Sequence, residues 1–357
     1  LIVSKNSKQP AKSALYTRRH FLKHSALTAF GVAAARKLSP ALDGLFPAES
    51  PAEKSRVILV RHSGVVDADG RVQGPLLQEI LDKAIIEFSG RSAVADAWRQ
   101  FVSPEDVVGF KINTLGLTEV RGTDYTHHFS AMIEAVASGL RRAGVKDKNM
   151  VVWDRSEEEM MEAGLTIQKD PGAMRVIANK AGRRDPGDYA PRAYPVGGLS
   201  SRVSRILADV CTTLINIPVP KTHGNSVFTC SLKNHYGSID NPSRMHANAC
   251  CDPGIAEVNA IPVIREKQKL VVSDALLLVT ERGPRWDRRF IRPYGGVIIG
   301  TDPVAVDAVA LKILDDKRAE DGMDRIAPRV PHVALAEKLA LGKSRLEDID
   351  LVALDLG

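Results

Sequence analysis

Lys221, His223, Lys233, Asn234, His235 and His246 fall inside one stretch, Thr213 to His246, which reads TLINIPVPKTHGNSVFTCSLKNHYGSIDNPSRMH. No other segment of the sequence gathers so many cations, amides and imidazoles in so little chain. Lysine ammoniums hold carboxylates and phosphates, and imidazoles move protons near neutrality or ligate metals. His223 is therefore a candidate general base. With His235 and His246 it is also a candidate ligand for a metal ion. No short spacing such as H-x-x-x-H fixes a metal geometry, so an anion held by Lys221 and Lys233 stands equally well. Neither G-x-x-x-x-G-K-[ST] nor G-x-G-x-x-G occurs, and standard nucleotide loops are not supported.

These residues need a scaffold. Apolar runs alternate with helical patterns after a Pro/Ala/Ser linker (39–51). Strands are expected at Arg56–His62, Val107–Asn113, Met150–Asp154, Met174–Ala178, Leu214–Val219, Leu270–Val279, Gly296–Gly300 and Leu351–Leu354. Helices are expected at Gln78–Phe88, Ala93–Phe101, Phe129–Ala143, Ser156–Ala163, Ser201–Asp209, Pro303–Leu314 and His332–Leu341. Such alternation predicts an α/β fold: a largely parallel, Rossmann-like open sheet with helices on both faces and room for a small inserted subdomain. In such sheets ligands bind beyond the carboxyl ends of the strands. Arg61-His62, Lys111 with Asn113, Asp154-Arg155, Lys221 to His223 and Thr301-Asp302 all end strands. If the strands are parallel neighbours, these tips converge, with Lys111, Asn113 and Asp154 placed to hold a cofactor. Asp302 before Pro303 also reads as a helix N-cap. Asp274, inside VVSDALLLV, is either a buried hydrogen-bonded carboxylate or a site acid orienting a cation. His127-His128 reads as a solvated pair opening a helix.

The chain has 357 residues and a net charge of +6. The first 50 residues hold eight Lys/Arg against two Asp/Glu; the remainder holds 41 of each. The basic excess thus belongs to the leader, and a nucleic-acid surface is not indicated. Thr17-Arg18-Arg19-His20-Phe21-Leu22-Lys23, followed by the mildly apolar run Ala26–Ala35, resembles a twin-arginine export signal. That resemblance implies the twin-arginine translocation machinery as a partner, a periplasmic or extracytoplasmic destination, and no stable membrane span once the leader is cleaved. Residues 1–50 are then leader and linker, and 51–357 the functional domain. Cys211, Cys230, Cys250 and Cys251 show no zinc-ribbon or ferredoxin spacing, so an iron–sulfur cluster is not implied. Cys211 and Cys230 are read as buried thiols.

Further motifs extend the pattern: VVGFKIN (Val107–Asn113), VVSDALLLVTERGP (Val271–Pro284) and GGVIIGTDPVAVDAVA (Gly295–Ala310). With Pro218, Lys221, Thr222, His223, Lys233, Asn234 and Gly237 they resemble the domain of unknown function 362 family, over roughly 57–314. The resemblance implies no particular reaction. The residues themselves leave two classes open. One is an exported enzyme or cofactor-binding protein, metal-dependent or redox-linked, with Lys221, His223, Lys233, Asn234 and Asp274 as its catalytic group. The other is a non-catalytic periplasmic binding protein for a small anionic ligand.

Overall fold

Strands form here because β-branched runs such as Val57–Val60 and Val271–Val272 fit a pleated surface that is buried on both faces. The computed structural model describes residues 53–179, 186–248 and 250–357; the segment expected to be a twin-arginine leader lies outside the described residues. In chain order the elements begin with β1 (Ser55–Arg61), α1 (Gly74–Ser89), α2 (Val94–Trp98), β2 (Val108–Lys111), α3 (His127–Ala143), β3 (Met150–Asp154), α4 (Glu157–Glu162) and β4 (Arg175–Ala178). A hairpin follows, β5 (Tyr189–Val196) and β6 (Leu199–Ser204), then β7 (Thr213–Asn216), β8 (Lys221–His223) and β9 (Val227–Thr229). The short helices α5 (Ser231–Asn234), α6 (Pro242–Asn248), α7 (Ile255–Asn259) and α8 (Pro262–Lys267) lead to β10 (Gln268–Val279). Last come β11 (Ile291–Gly300), α9 (Pro303–Glu320), α10 (Pro331–Lys338) and β12 (Ile349–Asp355).

The main sheet runs β12-β1-β11-β10-β7-β2-β3-β4, with the β8–β9 pair attached to β10. Every neighbouring pair along it is parallel except those that involve β11, which runs opposite to both β1 and β10. Alternate residues of each strand point to opposite faces. Ile58, Val60, Phe110 and Val152 pack under α1 and α3, whose Leu77, Ile80, Val136 and Leu140 are fully buried. Val57, Val151, Leu214 and Val271 pack under α7 and α9, through Ile255, Val258, Val304 and Val309. Each such side chain contributes about 1.5–3 kcal/mol by leaving water. The fold is therefore a mostly parallel α/β open sheet covered on both faces, with a separate two-stranded sheet of β5 and β6. Among the described residues no helix is long and apolar enough to cross a membrane.

Three expectations need correction. Because β11 is antiparallel, Thr301-Asp302 lies at the opposite edge from the other strand tips; Asp302 Oδ1 caps α9, accepting from Val304 N (2.8 Å) and Ala305 N (2.9 Å). Residues 201–209 are not one helix: Leu199–Ser204 pairs with β5 across Gly197-Gly198, both at positive φ (54° and 73°). That is the backbone a two-residue hairpin turn requires. His128 is not solvated; it is fully buried, and His127 Nδ1 accepts from Val72 N at 3.2 Å.

Candidate functional site

The chain climbs outward from β1 to β4 and returns to lay β7 beside β2, then β10 beyond it. The strand order thus switches at β2–β7, the position where open α/β sheets form a crevice. Lys111 ends β2 and Asp154 ends its parallel neighbour β3. Lys111 Nζ donates to Ile112 O (2.6 Å), Asp154 Oδ1 (2.7 Å) and Asn234 Oδ1 (3.0 Å). Three acceptors match the three N–H bonds of an ammonium. Burial lowers its pKa below the ordinary lysine value, with Asp154 opposing that pull. Burial also works against ionisation of Asp154, but Lys111 and Thr114 outweigh it and hold the carboxyl below its ordinary value. Thr114 supplies its N–H (2.8 Å) and hydroxyl (2.9 Å) to Oδ2. A Cβ on Gly237 would stand 2.9 Å from Lys111 Nζ and 3.1 Å from Asp154 Oδ1, so the backbone of this segment lies directly against the pair.

Lys221 opens β8, in register with Val279 of β10. Its Nζ donates to Asn113 Oδ1 (2.8 Å) and Leu115 O (3.1 Å) and stands 5.7 Å from the centre of the Trp286 ring. Both acceptors are uncharged. Burial brings its pKa down to about 7, with the Asp154 charge acting in the other direction. The two buried lysines thus differ in their partners: Lys111 is paired with the Asp154 carboxylate, while Lys221 has only uncharged acceptors.

His223 closes β8 and turns the chain through Gly224-Asn225-Ser226. Its Nδ1 accepts from Asn225 N (3.1 Å) and Ser226 N (3.3 Å). An Nδ1 that accepts amide protons leaves the ring proton on Nε2. Val227 closes the turn at φ 66°, an unusual conformation for a β-branched residue. Burial, followed by the Lys233 charge, lowers the His223 pKa to about 2. Its ring stacks on His246 with centroids 5.3 Å apart. His246 Nδ1 donates to Pro242 O (2.7 Å), which leaves Nε2 to accept from Lys233 Nζ (2.8 Å). Burial and Lys233 together lower the His246 pKa to about 4. Lys233 Nζ also lies 3.8 Å over the ring of Tyr236.

The family described as domain of unknown function (DUF362) matches residues 108–312, more than half of the chain. The chain belongs to this family. No curated protein matches it. Similar solved structures include a structural-genomics target from Thermotoga maritima (12% identity, TM-score 0.37) and the lactate racemase apoprotein from Thermoanaerobacterium thermosaccharolyticum (10% identity, TM-score 0.35). The alignments cover 66% and 72% of this chain, and 59% and 56% of theirs, so the chain spans less than two thirds of either structure.

The DUF362 pocket measures about 40 Å³ and is lined by Lys111, Asn113, Asp154, Lys221, His223, Lys233, Asn234 and His246, together with Arg155, Tyr236 and Pro284 among others. Asp154 is its one carboxylate among the described residues, and it is occupied by Lys111, Thr114 and Arg155 N. A larger cleft of about 690 Å³ adjoins it, sharing Arg155 and Pro242 as lining residues.

Two expected site residues lie elsewhere. His235 is buried with both ring nitrogens engaged: Nε2 faces Gln268 Oε1 at 2.8 Å and Nδ1 faces Ser238 Oγ at 3.1 Å. Asp274 does not line the DUF362 pocket; its Oδ2 meets His128 Nδ1 at 2.6 Å, and His128 stacks on Trp286. The expected histidine metal triad is therefore not assembled, and the described residues gather no group of three His, Cys, Asp or Glu that could hold a metal ion. A cation on His223 Nε2 would require the turn amides to release Nδ1, and one on His246 Nε2 would have to displace Lys233. Asn234 is saturated, since its Nδ2 donates to Lys111 O and Asn216 Oδ1, so it positions rather than reacts.

Sequence reasoning missed Asp307. From α9 this buried carboxylate accepts from Ser231 N (2.7 Å), Ser231 Oγ (2.7 Å) and Leu232 N (3.2 Å), capping the helix that presents Lys233 and Asn234. Burial raises its pKa to about 6. The signal was present in GTDPVAVDAVA, where an aspartate stands among residues expected to face the core. Cys211 and Cys230 are buried thiols, and Cys251 is half-buried with its Sγ donating to Asn225 O at 3.3 Å.

Proposed function

We propose that this chain is an exported enzyme that binds a small anionic substrate or cofactor in the DUF362 pocket and uses Lys221 as its titrating group. What supports the anion is the charge arrangement. Lys221 and Lys233 line a pocket whose only carboxylate among the described residues is already neutralised by its neighbours. What supports chemistry rather than storage is the buried lysine with a pKa of about 7. His223 then serves as a neutral Nε2–H donor to the bound anion, in place of a general base. The export assignment rests on the resemblance of residues 17–35 to a twin-arginine leader.

A non-catalytic binding protein is the second reading, favoured by the two pocket imidazoles, whose pKa values of about 2 and 4 keep them neutral across the physiological range. Calorimetric titration with inorganic phosphate and with small carboxylates, from pH 5 to 9, separates the two. We expect affinity to fall as pH rises through about 7, where Lys221 loses its charge. Lys233→Met should weaken binding about tenfold or more at every pH, the worth of one charge-assisted hydrogen bond at about 1.5–3 kcal/mol. Lys221→Met should remove the pH step. Binding that is independent of pH would move the assignment to the binding protein, and no binding of either anion class would overturn the anion site itself.

A further inference from the structure

We propose that Lys221 is a covalent nucleophile that forms an imine with a small carbonyl compound bearing an anionic group, such as a 2-oxo acid. The inference rests on the anion-site reading above and specifies its substrate class. Its geometric basis is the number of hydrogen bonds at Nζ. A neutral amine has two N–H bonds and one lone pair, and Lys221 Nζ has two acceptors, Asn113 Oδ1 and Leu115 O. With both N–H bonds directed to them, the lone pair is left over. No carboxylate contacts this nitrogen in the way Asp154 contacts Lys111; the Asp154 charge acts on it without a hydrogen bond. The Trp286 ring flanks it, and the residue lines the pocket. Its pKa of about 7 agrees with that geometry.

The surroundings supply what such a substrate needs. Lys233, from α5, would receive the anionic group. His223 lies two residues beyond Lys221 on β8, hence on the same side of the strand, and its Nε2–H can donate to the carbonyl oxygen. The step balances without an oxidant. The Lys221 lone pair attacks the carbonyl carbon, and one N–H proton passes to the oxygen to give a carbinolamine. The hydroxyl then leaves with the second N–H proton as water, and a C=N bond replaces C=O.

The test uses the whole protein, with pyruvate and glyoxylate as probes and sodium borohydride to reduce the imine to a stable secondary amine. Peptide mass mapping should find one reduced adduct, on Lys221, and none on the equally buried Lys111. The rate of trapping should rise with pH through about 7. Lys233→Met should raise the probe concentration needed by about tenfold while leaving the final extent unchanged. Lys221→Met should lose the adduct, and mapping of the unmodified protein gives the answer even if that variant does not fold. Labelling spread over surface lysines at rates equal to that of Lys221, or no adduct while phosphate or carboxylate still binds, overturns the imine and leaves the anion site standing. Absence of both adduct and anion binding overturns both.

Discussion

At the scale of single residues, the pocket depends on how closely backbone can approach charge. Gly237 is the clearest case, because a methyl group there would press on Lys111 Nζ and Cε and on Asp154 Oδ1 within 3.1 Å. Gly237→Ala should therefore push Lys111 off Asp154 and cost about 1–3 kcal/mol, the price of overpacking a filled site. Urea denaturation would measure the loss. An unchanged midpoint would mean that the segment simply shifts aside. The sequence made Lys111, Asn113, Asp154, Lys221 and His223 legible as candidates, since polar residues at strand ends stand out from apolar runs, and Lys233 and His246 through the crowding of cations and imidazoles in one segment. It could not separate the lysines by role. Whether an amine keeps its proton depends on how many acceptors surround it, and those come from residues distant in sequence, such as Asn234 for Lys111 and Asn113 for Lys221.

At the scale of elements, α5 is only four residues long, too short to hold itself together. Asp307 binds its first amides, and Asn259 Nδ2 donates to Leu232 O at 2.8 Å. Asp307→Ala would leave buried amides without acceptors, at a cost of about 1–3 kcal/mol. It should also weaken anion binding through Lys233, although Asp307 does not line the pocket. Asp307→Asn keeps one acceptor and should fall between. Equal affinity in all three proteins would detach the cap from the site. Most strands and helices were readable because their apolar periods are local. The β5–β6 hairpin was not, because the helical spacing of Val203, Ile206 and Leu207 masked the Gly197-Gly198 turn. The direction of β11 was also hidden, since strand polarity is set by where the chain crosses and not by composition.

At the scale of the whole molecule, buried imidazoles set an acid limit. His223, His235 and His246 have pKa values near 2, 4 and 4, chiefly through burial, against an ordinary 6.5. Above pH 6.5 neither the folded nor the unfolded chain protonates them. Below it the unfolded chain gains protons that the folded chain refuses, so stability falls as pH drops toward 4. Asp307, raised from 3.8 to about 6, acts with the opposite sign over part of that range, one group against these three and His332, which burial also lowers. The melting temperature should therefore decline from pH 6.5 to 4, and His235→Gln should make the decline shallower. A flat profile would mean that these imidazoles accept protons within the folded state.

The junction of the two cavities has its own consequence. Arg155 and Pro242 border both a chamber of about 40 Å³ and a cleft of about 690 Å³. A chamber that small takes in the tip of a molecule and leaves its body outside. Compounds with the same headgroup are then alike to the lysines, whatever follows. On the anion-site proposal, discrimination among them would fall to the mixed-charge walls of the outer cleft, where Glu158, Glu162, Arg202 and Asp240 stand. Reactivity and selectivity would thus be housed in separate rooms, so either could be altered by mutation while the other is kept.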